Sequence, residues 1–346
     1  MLKWFEETDK ENPNIVYSRV RLVRNWAEYP FSGKLTKDQA REMVGRLEKG
    51  MRDYCLEDDR DYDYTLLENL SDLDRRALRE RRILNATLAG KKDPVGLILS
   101  RDEKVSLVLN GDDHIRMQFI APGMHLKELW KEADRTDDYI NGRFNYAFDS
   151  KYGYLTAYPT NVGTGLRASA VVHLPSLSSG RKFSSLLGEM SRFGASIRGL
   201  YGEGSENYGS LYVVSNQKTL GVTEEEIVEI VEKVARQLSS QERQVREMAL
   251  SSDRLGQQDE AYKSYGVLKY ARRLSWKDAM VFLSRLMTGV EDGTVEFEGP
   301  CPVFGIMLGI QKANLQKISE RPLSRTELDI ARASYIRSEL PELKTA

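Results

Sequence analysis

Cysteine and histidine are scarce in this sequence. Its 346 residues include 2 cysteines and 3 histidines, and Cys55 and Cys301 lie far apart with no CxxC pair. This composition excludes a disulfide-stabilised framework and offers no zinc-binding spacing. A site in which the protein itself supplies a full set of metal ligands is therefore not predicted.

Long apolar runs and an excess of either charge are also lacking. No stretch of 18 apolar residues occurs, and residues 1–10 are acidic and aromatic where a signal peptide would be basic and then apolar. We therefore expect a cytoplasmic protein without a membrane span. Lys and Arg total 51 against 52 Asp and Glu, which argues against a nucleic-acid partner. Any anion-binding site must be local.

Helix caps and apolar periodicity predict an α+β fold. Thr36 and Thr223 each stand three residues before a Gln or Glu, a capping-box pattern that predicts a helix start, the second helix continuing to about Leu250. Strands are predicted between these helices at 95–99, 105–109, 154–158, 168–174, 196–200 and 211–215. The short polar turn at 101–104 favours an antiparallel hairpin over a parallel crossover.

The pattern becomes helical after Ser251. Ser275 and Ser324 are each followed three residues later by an acidic residue, which predicts two further helix starts. We therefore predict two domains. Residues 1–250 would form an antiparallel sheet flanked by helices, and residues 251–346 a small helical C-terminal domain.

The first of four segments with candidate chemistry is SRVR, which begins at Ser18. Arg19 and Arg21 are two residues apart, so on an extended strand their guanidinium groups point the same way. Two adjacent like charges would attract an anion. The alternative is a solvated edge strand, because paired surface arginines are common.

The second segment, residues 110–116, directly follows an apolar strand. Strand alternation would place Asp112, His114 and Arg116 on one side, so that a carboxylate and a cation share a face. The alternative is an acidic turn that closes the strand, since Asn, Gly and Asp favour turns.

The third and fourth segments each join a predicted strand to a loop of small residues. Residues 154–167 end in Arg167, and residues 198–206 begin at Arg198. Loops of small residues let backbone amides approach a phosphate closely. The third segment has neither the P-loop pattern nor a GxGxxG followed by a helix, and a plain hairpin explains the fourth segment equally well.

These segments, taken in this order, resemble those of the phosphagen kinases, the guanidino phosphotransferases that include creatine and arginine kinases. The patterns SRVR, an acidic pair before DHxR, PTNxGTGLRAS, RGxxGE and SNQxTLG are met from Ser18, Gly111, Pro159, Arg198 and Ser215. Small-molecule members carry a helical domain before SRVR, whereas 17 residues precede it here. The chain is therefore most similar to the bacterial protein arginine kinases of this family.

The resemblance implies ATP with Mg²⁺ as cofactors and a set of nucleotide contacts. By this resemblance the nucleotide would be bound by Ser18, Arg19, Arg21, Arg116, Arg167, Ala168, Ser169, Arg198 and Glu203. Planar guanidinium donors match phosphate oxygens and stay charged at cellular pH. The resemblance further implies that Asp112 is the catalytic base and Glu203 the orienting carboxylate. Asp329 and Arg332 match positions that bind phosphoarginine in those kinases.

Several positions depart from the family pattern. The usual acidic pair is Gly111 and Asp112 here, so one carboxylate is lost and the other is shorter by a methylene. The usual reactive cysteine before the PTN loop is Tyr158, and a histidine expected near the nucleotide corresponds to Thr87. Leu328 stands where an arginine of the phosphoarginine site is expected. These departures argue against efficient phosphoryl transfer more than against nucleotide binding.

The implied function is transfer of the ATP γ-phosphate to arginine side chains of proteins. Implied partners are arginine-bearing protein substrates, an activator protein, the protein-degradation machinery and a second copy in a homodimer. One alternative is a catalytically degenerate relative that acts as a nucleotide- or phosphoarginine-binding adaptor. A second is a kinase for a small guanidino metabolite, and a third is that the arginines only form surface ion pairs.

Overall fold

The computed structural model describes residues 2–9, 11–12, 14–202, 207–319 and 321–344. Within these ranges the strands are β1 Ile15–Arg24, β2 Tyr62–Leu66, β3 Gly96–Ser100, β4 Val105–Leu109, β5 Ile115–Pro122, β6 Phe148–Asp149, β7 Gly153–Tyr154, β8 Leu166–His173, β9 Ala195–Gly199 and β10 Leu211–Asn216. The α-helices are α1 Lys37–Glu57, α2 Asp72–Glu80, α3 Ala86–Gly90, α4 Leu126–Asn141, α5 Pro175–Ser179, α6 Phe183–Ser191, α7 Glu224–Tyr270, α8 Trp276–Glu291, α9 Val303–Gly309, α10 Lys312–Lys317 and α11 Arg325–Glu339.

An eight-stranded sheet forms the centre of the molecule. Its strand order is β2-β3-β4-β5-β1-β8-β10-β9, and each neighbouring pair is antiparallel. The predicted α+β class and the β3–β4 hairpin are thereby confirmed. The strands that carry the candidate arginines, β5, β1, β8 and β9, are four of the five consecutive strands from β5 to the β9 edge of the sheet.

The two faces of this sheet differ in chemistry. Val20 and Leu22 of β1 point to the face packed by α1, α4 and α7. Tyr17 points to the other face, where it joins the apolar core of the C-terminal helices and contacts Phe304 at 5.5 Å between ring centroids. Because strand side chains alternate, Arg19 and Arg21 share the face of Tyr17. This second face is therefore apolar at Tyr17, where it packs on the C-terminal helices, and cationic at Arg19 and Arg21.

The predicted helix starts are confirmed. Thr36, Thr223 and Ser324 each accept a hydrogen bond from the third helical residue in a capping box, and Ser275 caps α8 in the same way. Helix α7 runs past the expected end to Tyr270 and departs from helical geometry inside at Asp253. The division at residue 250 falls within this helix and stays a prediction.

The strand predicted at 154–158 is wrong except at its first residue. Only Tyr154 belongs to a strand, β7, and Pro159 then opens a short 3-10 helix. The ring of Tyr154 is held by the Arg24 guanidinium, whose carbon lies 3.5 Å from the ring centroid. Arg24 in turn forms a buried ion pair with Asp137. Residues 155–158 lie outside any strand.

A buried polar network joins the sheet to the C-terminal helices. The imidazole of His173, at the end of β8, contacts Ser284 Oγ at 2.8 Å and Glu291 Oε2 at 3.3 Å. Arg246 of α7 pairs with Glu291 and Asp292.

In the part of the chain described here, no helix is both long and apolar enough to cross a membrane.

Candidate active site

Arginines from four strands meet on the cationic part of the sheet. Arg21 lies directly opposite Arg167 across β1 and β8, and the neighbouring Val23 lies opposite Arg116 of β5. Burial lowers the pKa of Arg21 well below its usual value, and repulsion from Arg19, Arg116, Arg167 and Arg198 lowers it further. Burial and Arg19 together lower the pKa of Arg116 to about 10. The guanidinium groups therefore lie close enough to repel one another, and the cluster concentrates positive charge.

Among the described residues, neutral groups accept the hydrogen bonds of Arg19, Arg116 and Arg167. Arg167 Nη2 donates to Ser215 Oγ at 3.0 Å, and Arg19 Nε donates to Ser169 Oγ at 3.4 Å. Arg116 Nη2 donates to the Ile83 carbonyl at 3.2 Å, while its Nε and Nη1 have no partner. Among the described residues, none of the five predicted arginines forms an ion pair. A bound anion would satisfy both the charge and the unused donors.

A sixth arginine, which the sequence reasoning missed, borders the cluster. Arg82 adopts a left-handed backbone with φ of 71°, and its charge adds to the repulsion felt by Arg19. Its guanidinium lies 4.8 Å from the ring centroid of Tyr201. The position expected for the family histidine, Thr87, is instead exposed on α3. In the sequence, the adjacent arginines Arg81 and Arg82 are the feature that could have indicated this sixth arginine.

Arg82 and Tyr201 also line a larger cleft. This cleft has a volume of about 830 Å³ and runs between α2 and α10. Arg76, Arg79 and Lys312 contribute further positive charge to its walls. Through Arg82, this cationic cleft adjoins the arginine cluster.

A smaller pocket of about 190 Å³ adjoins the cluster on the side of β5. Its lining consists of Arg21, Val23, Asn85, Asp112, Asp113, Arg116, Tyr158, Asn161, Gly165 and Arg167. Asp112 and Arg116 thus share a site as predicted, although Asp112 lies in the turn before β5 and not in the strand. We call this volume the acceptor pocket, because it is where carboxylates face the arginine cluster.

The prediction that His114 lies on the same side is wrong. Its Nδ1 accepts a hydrogen bond from the Trp26 backbone at 3.0 Å, and its Nε2 contacts the Pro30 carbonyl at 2.9 Å. Residues 110–114 form a turn and β5 begins only at Ile115, so strand alternation does not apply there. His114 fastens this turn to the chain after β1.

The two neighbouring carboxylates have different environments. Asp113 is buried, and its Oδ1 accepts hydrogen bonds from Asn25 Nδ2 at 2.7 Å and from the Ala157 backbone at 2.6 Å. Burial raises the pKa of Asp113, although these hydrogen bonds oppose the rise. Asp112 is half-buried, and its Oδ2 accepts a hydrogen bond from Asn85 Nδ2 at 3.0 Å. Asp112 is therefore the more accessible carboxylate.

Other predicted nucleotide contacts are placed differently by the sheet. The hydroxyl of Ser18 accepts a hydrogen bond from the His125 backbone at 2.9 Å, on the face opposite Arg19. Ala168 N donates to Asn216 Oδ1 at 3.0 Å and its side chain is buried in the core beneath the sheet. Ser169 does lie beside Arg19. Glu203, the second predicted carboxylate, lies outside the described residues.

The glycines of the GTG loop serve close packing. Gly163 has φ of 109°, and a Cβ there would overlap the Thr219 carbonyl and lie 2.8 Å from Leu220 Cα. A Cβ at Gly165, where φ is 64°, would lie 2.7 Å from the Val23 carbonyl. Thr219 Oγ1 also donates to the Val162 carbonyl at 2.8 Å. The SNQxTLG segment thus anchors the loop that leads into Arg167.

Two positions that depart from the family pattern, Tyr158 and Gly111, line or adjoin the acceptor pocket. Tyr158 lines it and is exposed. Gly111 is buried, and a Cβ there would lie 3.2 Å from Leu88 Cδ2. Both cysteines lie elsewhere, and burial raises the pKa of Cys55 to about 11 and of Cys301 to about 12. Neither thiol replaces the family's reactive cysteine.

The phosphoarginine-binding role of Asp329 and Arg332 stays a prediction. Arg332 is buried, with 4% of its surface exposed. It donates to Asp329 Oδ1 at 2.6 Å and to the Leu274 carbonyl at 2.8 Å. These contacts join α11 to the segment before α8.

Comparison with known proteins decides the family. Residues 43–245 match the model of the ATP:guanido phosphotransferase C-terminal catalytic domain. The chain belongs to the ATP:guanido phosphotransferase family. Residues 254–346 match the model described as the protein-arginine kinase McsB C-terminal domain.

Relatives of this phosphotransferase are similar over almost their whole length. A protein-arginine kinase of Desulforamulus reducens is 38% identical, with 99% of this chain and 96% of that protein covered. One from Halothermothrix orenii is 35% identical, with 97% and 96% covered. The predicted membership of the phosphagen kinase family and the prediction of a kinase are thereby confirmed.

Solved phosphagen kinase structures share the fold. Taurocyamine kinase of Schistosoma mansoni, with bound transition state analog components, has a TM-score of 0.59 and 25% identity, covering 68% of this chain and 34% of that chain. A lombricine kinase structure has a TM-score of 0.59 and 22% identity, covering 71% and 70%.

The donor set of the site fits a metal that arrives with the nucleotide. In the ranges the structure describes, no three His, Cys, Asp or Glu residues are grouped as metal ligands. Mg²⁺ commonly keeps waters and phosphate oxygens as its main ligands. Phosphates held by the arginines would therefore supply most of its coordination.

Proposed function

We propose that this phosphotransferase is a protein-arginine kinase that moves the ATP γ-phosphate to arginine side chains of proteins. The observation that carries the proposal is the acceptor pocket, in which Asp112 faces Arg21, Arg116 and Arg167. A carboxylate attracts the acceptor guanidinium, and the arginines attract the phosphate. The pocket thus suits a reaction that joins a guanidinium to a phosphoryl group.

We propose that ATP lies along the cationic part of the sheet. Its γ-phosphate would lie at the acceptor pocket on Arg21, Arg116 and Arg167, and its other phosphates near Arg19 and Arg198. Its nucleoside would point to the wider cleft beside Arg82 and Tyr201. Mg²⁺ bound with the nucleotide would neutralise phosphate charge during transfer. Among the other predicted contacts, Ser169 lies beside Arg19.

The acceptor guanidinium is protonated and must lose a proton to attack phosphorus. Asp112 would accept that proton as the guanidinium nitrogen forms a bond to the γ-phosphorus. The bond between this phosphorus and the β,γ-bridging oxygen breaks, and ADP leaves with the electron pair. The arginines stabilise negative charge in the transition state. We propose Glu203 as the second, orienting carboxylate.

The proposed acceptors are arginines of proteins, because the full-length relatives carry the name protein-arginine kinase. These names do not favour the adaptor alternative. The predicted activator protein, degradation machinery, homodimer and cytoplasmic location belong to the same proposal. Free arginine as the preferred acceptor would instead support the small-metabolite alternative.

The test is to incubate the purified chain with Mg²⁺, γ-labelled ATP and an unfolded arginine-rich protein. We expect acid-labile, base-stable label on arginine, and little label on free arginine. Asp112→Asn is the matched negative control. Measurable ATP binding without any label would overturn the kinase proposal and support the adaptor.

A further inference from the structure

A short helix begins beside the acceptor pocket and brings an amide group to Asp112. Asn85 is the N-cap of α3, and its Oδ1 accepts a hydrogen bond from the Leu88 backbone at 2.7 Å. Its Nδ2 donates to Asp112 Oδ2 at 3.0 Å. One side chain therefore bonds the helix and the carboxylate at once.

The cap decides the orientation of this amide. A carboxamide has one accepting end and one donating end, and the helix N-terminus needs the acceptor. Because the oxygen of Asn85 is used by Leu88, only the NH₂ group can face Asp112. A flipped amide would lose the cap and place two oxygens together. The contact with Asp112 is therefore specific in direction.

The backbone that carries Asp112 is held from the same side. Lys91, which follows α3, donates from Nζ to the Asn110 carbonyl at 2.9 Å and to the Gly111 carbonyl at 2.7 Å. Gly111 has no side chain with which to support its neighbour. Within the described part of the chain, Asn85 supplies the one side-chain hydrogen bond made to the Asp112 carboxylate.

We infer that Asn85 is a positioning residue that orients Asp112 for proton acceptance in the proposed reaction. With Oδ2 held by Asn85, Oδ1 is left to face the acceptor guanidinium. Fixing the carboxylate matters because a misplacement of about 1 Å can cost about 100-fold in rate. This inference rests on the proposed function.

The test compares two variants that keep the helix cap. Serine and aspartate both cap helices about as well as asparagine, but neither donates an amide hydrogen to Asp112. We expect Asn85→Ser to lower kcat about 10- to 100-fold, with the KM for ATP and the melting temperature nearly unchanged. Ser275→Ala, which removes the cap of α8, is the control: it should lower the melting temperature and leave kcat unchanged.

The variant Asn85→Asp tests the pH–rate profile, which would not change if Asn85 had only a structural role. It places a second carboxylate against Asp112, beside the existing charges of Asp113, Arg116 and Lys91. Like charges resist ionising together, so the acid limb of the pH–rate profile should move to higher pH. Asn85→Ser added to Asp112→Asn should cause no further loss, because the two residues act together.

The outcomes separate the two proposals. If the wild type labels arginine while both Asn85 variants keep its kcat and pH profile, the positioning role is wrong and the kinase proposal stands. If the wild type yields no phosphoarginine, the proposed function fails and this inference fails with it. A kcat loss in Asn85→Ser together with the pH shift in Asn85→Asp supports the inference.

Discussion

Arg21 and Arg167 face each other directly across β1 and β8. Two arginines in this position repel each other, and burial adds to the cost of their charge. This repulsion lowers the stability of the free protein. In the proposed function, bound nucleotide would relieve it.

The first prediction concerns this repulsion. Arg21→Gln should raise the stability of the ligand-free protein, by on the order of 1 kcal/mol, because one buried like charge is removed. The same variant should lose the thermal stabilisation that Mg-ATP gives the wild type. Denaturant unfolding and melting curves with and without nucleotide measure both effects.

The control for Arg21→Gln is Arg101→Gln, which changes an arginine whose side chain is 62% exposed and which pairs with Asp61. It should alter neither stability nor nucleotide binding appreciably. If Arg21→Gln lowered the stability of the free protein and bound ATP normally, the electrostatic account of the cluster would be wrong.

The second prediction separates the two adjacent carboxylates. Asp112→Asn should reduce phosphoryl transfer by about 100- to 10,000-fold, because the base is lost, and should retain ATP binding. Asp113→Asn should keep transfer within about threefold, since an amide oxygen can accept the same hydrogen bonds from Asn25 and Ala157. Transfer rates and ATP titrations test both variants, and equal rates for them would contradict these roles.

Asp113→Asn also carries a prediction about stability. Burial raises the folded-state pKa of Asp113 above its unfolded value. Such a group favours the folded state at low pH and loses that contribution as pH rises through the folded pKa. At pH 7.5 the asparagine variant should therefore be at least as stable as the wild type, as denaturant unfolding would show.

The third prediction concerns the loop before Arg167. Gly163→Ala should cost about 2–4 kcal/mol, because it combines positive φ with overlap against the Thr219 carbonyl. Gly221→Ala is the matched control, since Gly221 has φ of 76° but nothing within 4 Å of its Cβ position. The control should cost about 1 kcal/mol. Equal losses in denaturant unfolding would show that packing on Thr219 is unimportant.

The fourth prediction concerns acid sensitivity. Burial, opposed by the hydrogen bond to Pro30, lowers the pKa of His114 below its ordinary 6.5. An imidazole whose pKa is lower in the folded state than in the unfolded state stabilises the protein at neutral pH. This contribution is lost as pH falls from 6.5 through the folded-state pKa. Unfolding free energies at pH 7.5 and 5.0 should therefore differ less in His114→Gln than in the wild type. An unchanged difference would assign the acid sensitivity to other groups.

The fifth prediction concerns the C-terminal helices. Arg332→Met should destabilise the chain by about 3 kcal/mol, because the carbonyl of Leu274 and the carboxylate of Asp329 lose their buried donor. Arg325→Met, at the exposed start of α11, is the control and should be neutral. Added phosphoarginine could instead raise the stability of the wild type saturably. If Arg332→Met lost this stabilisation by phosphoarginine and nothing else, the predicted ligand role would be supported.

The sequence by itself determined the features that depend on local order along the chain. Arg19 and Arg21 share a face because strand side chains alternate with a period of two. Thr36 and Thr223 begin helices because each cap is completed within three residues. The β3–β4 hairpin follows from a short turn between two apolar runs. The family motifs in the sequence also predicted Arg116, Arg167 and Arg198 as nucleotide contacts.

The tertiary structure decided what depends on residues far apart in the chain. The register of β1 against β8 places Arg21 opposite Arg167, and no local pattern specifies that register. His114 leaves the site because its imidazole bonds the chain near Trp26, and Arg82 enters it from the segment before α3. The pairing of Asn85 with Asp112 joins positions 27 apart in the sequence. Such contacts form only when the sheet and its helices pack together, so short-range periodicity could not reveal them.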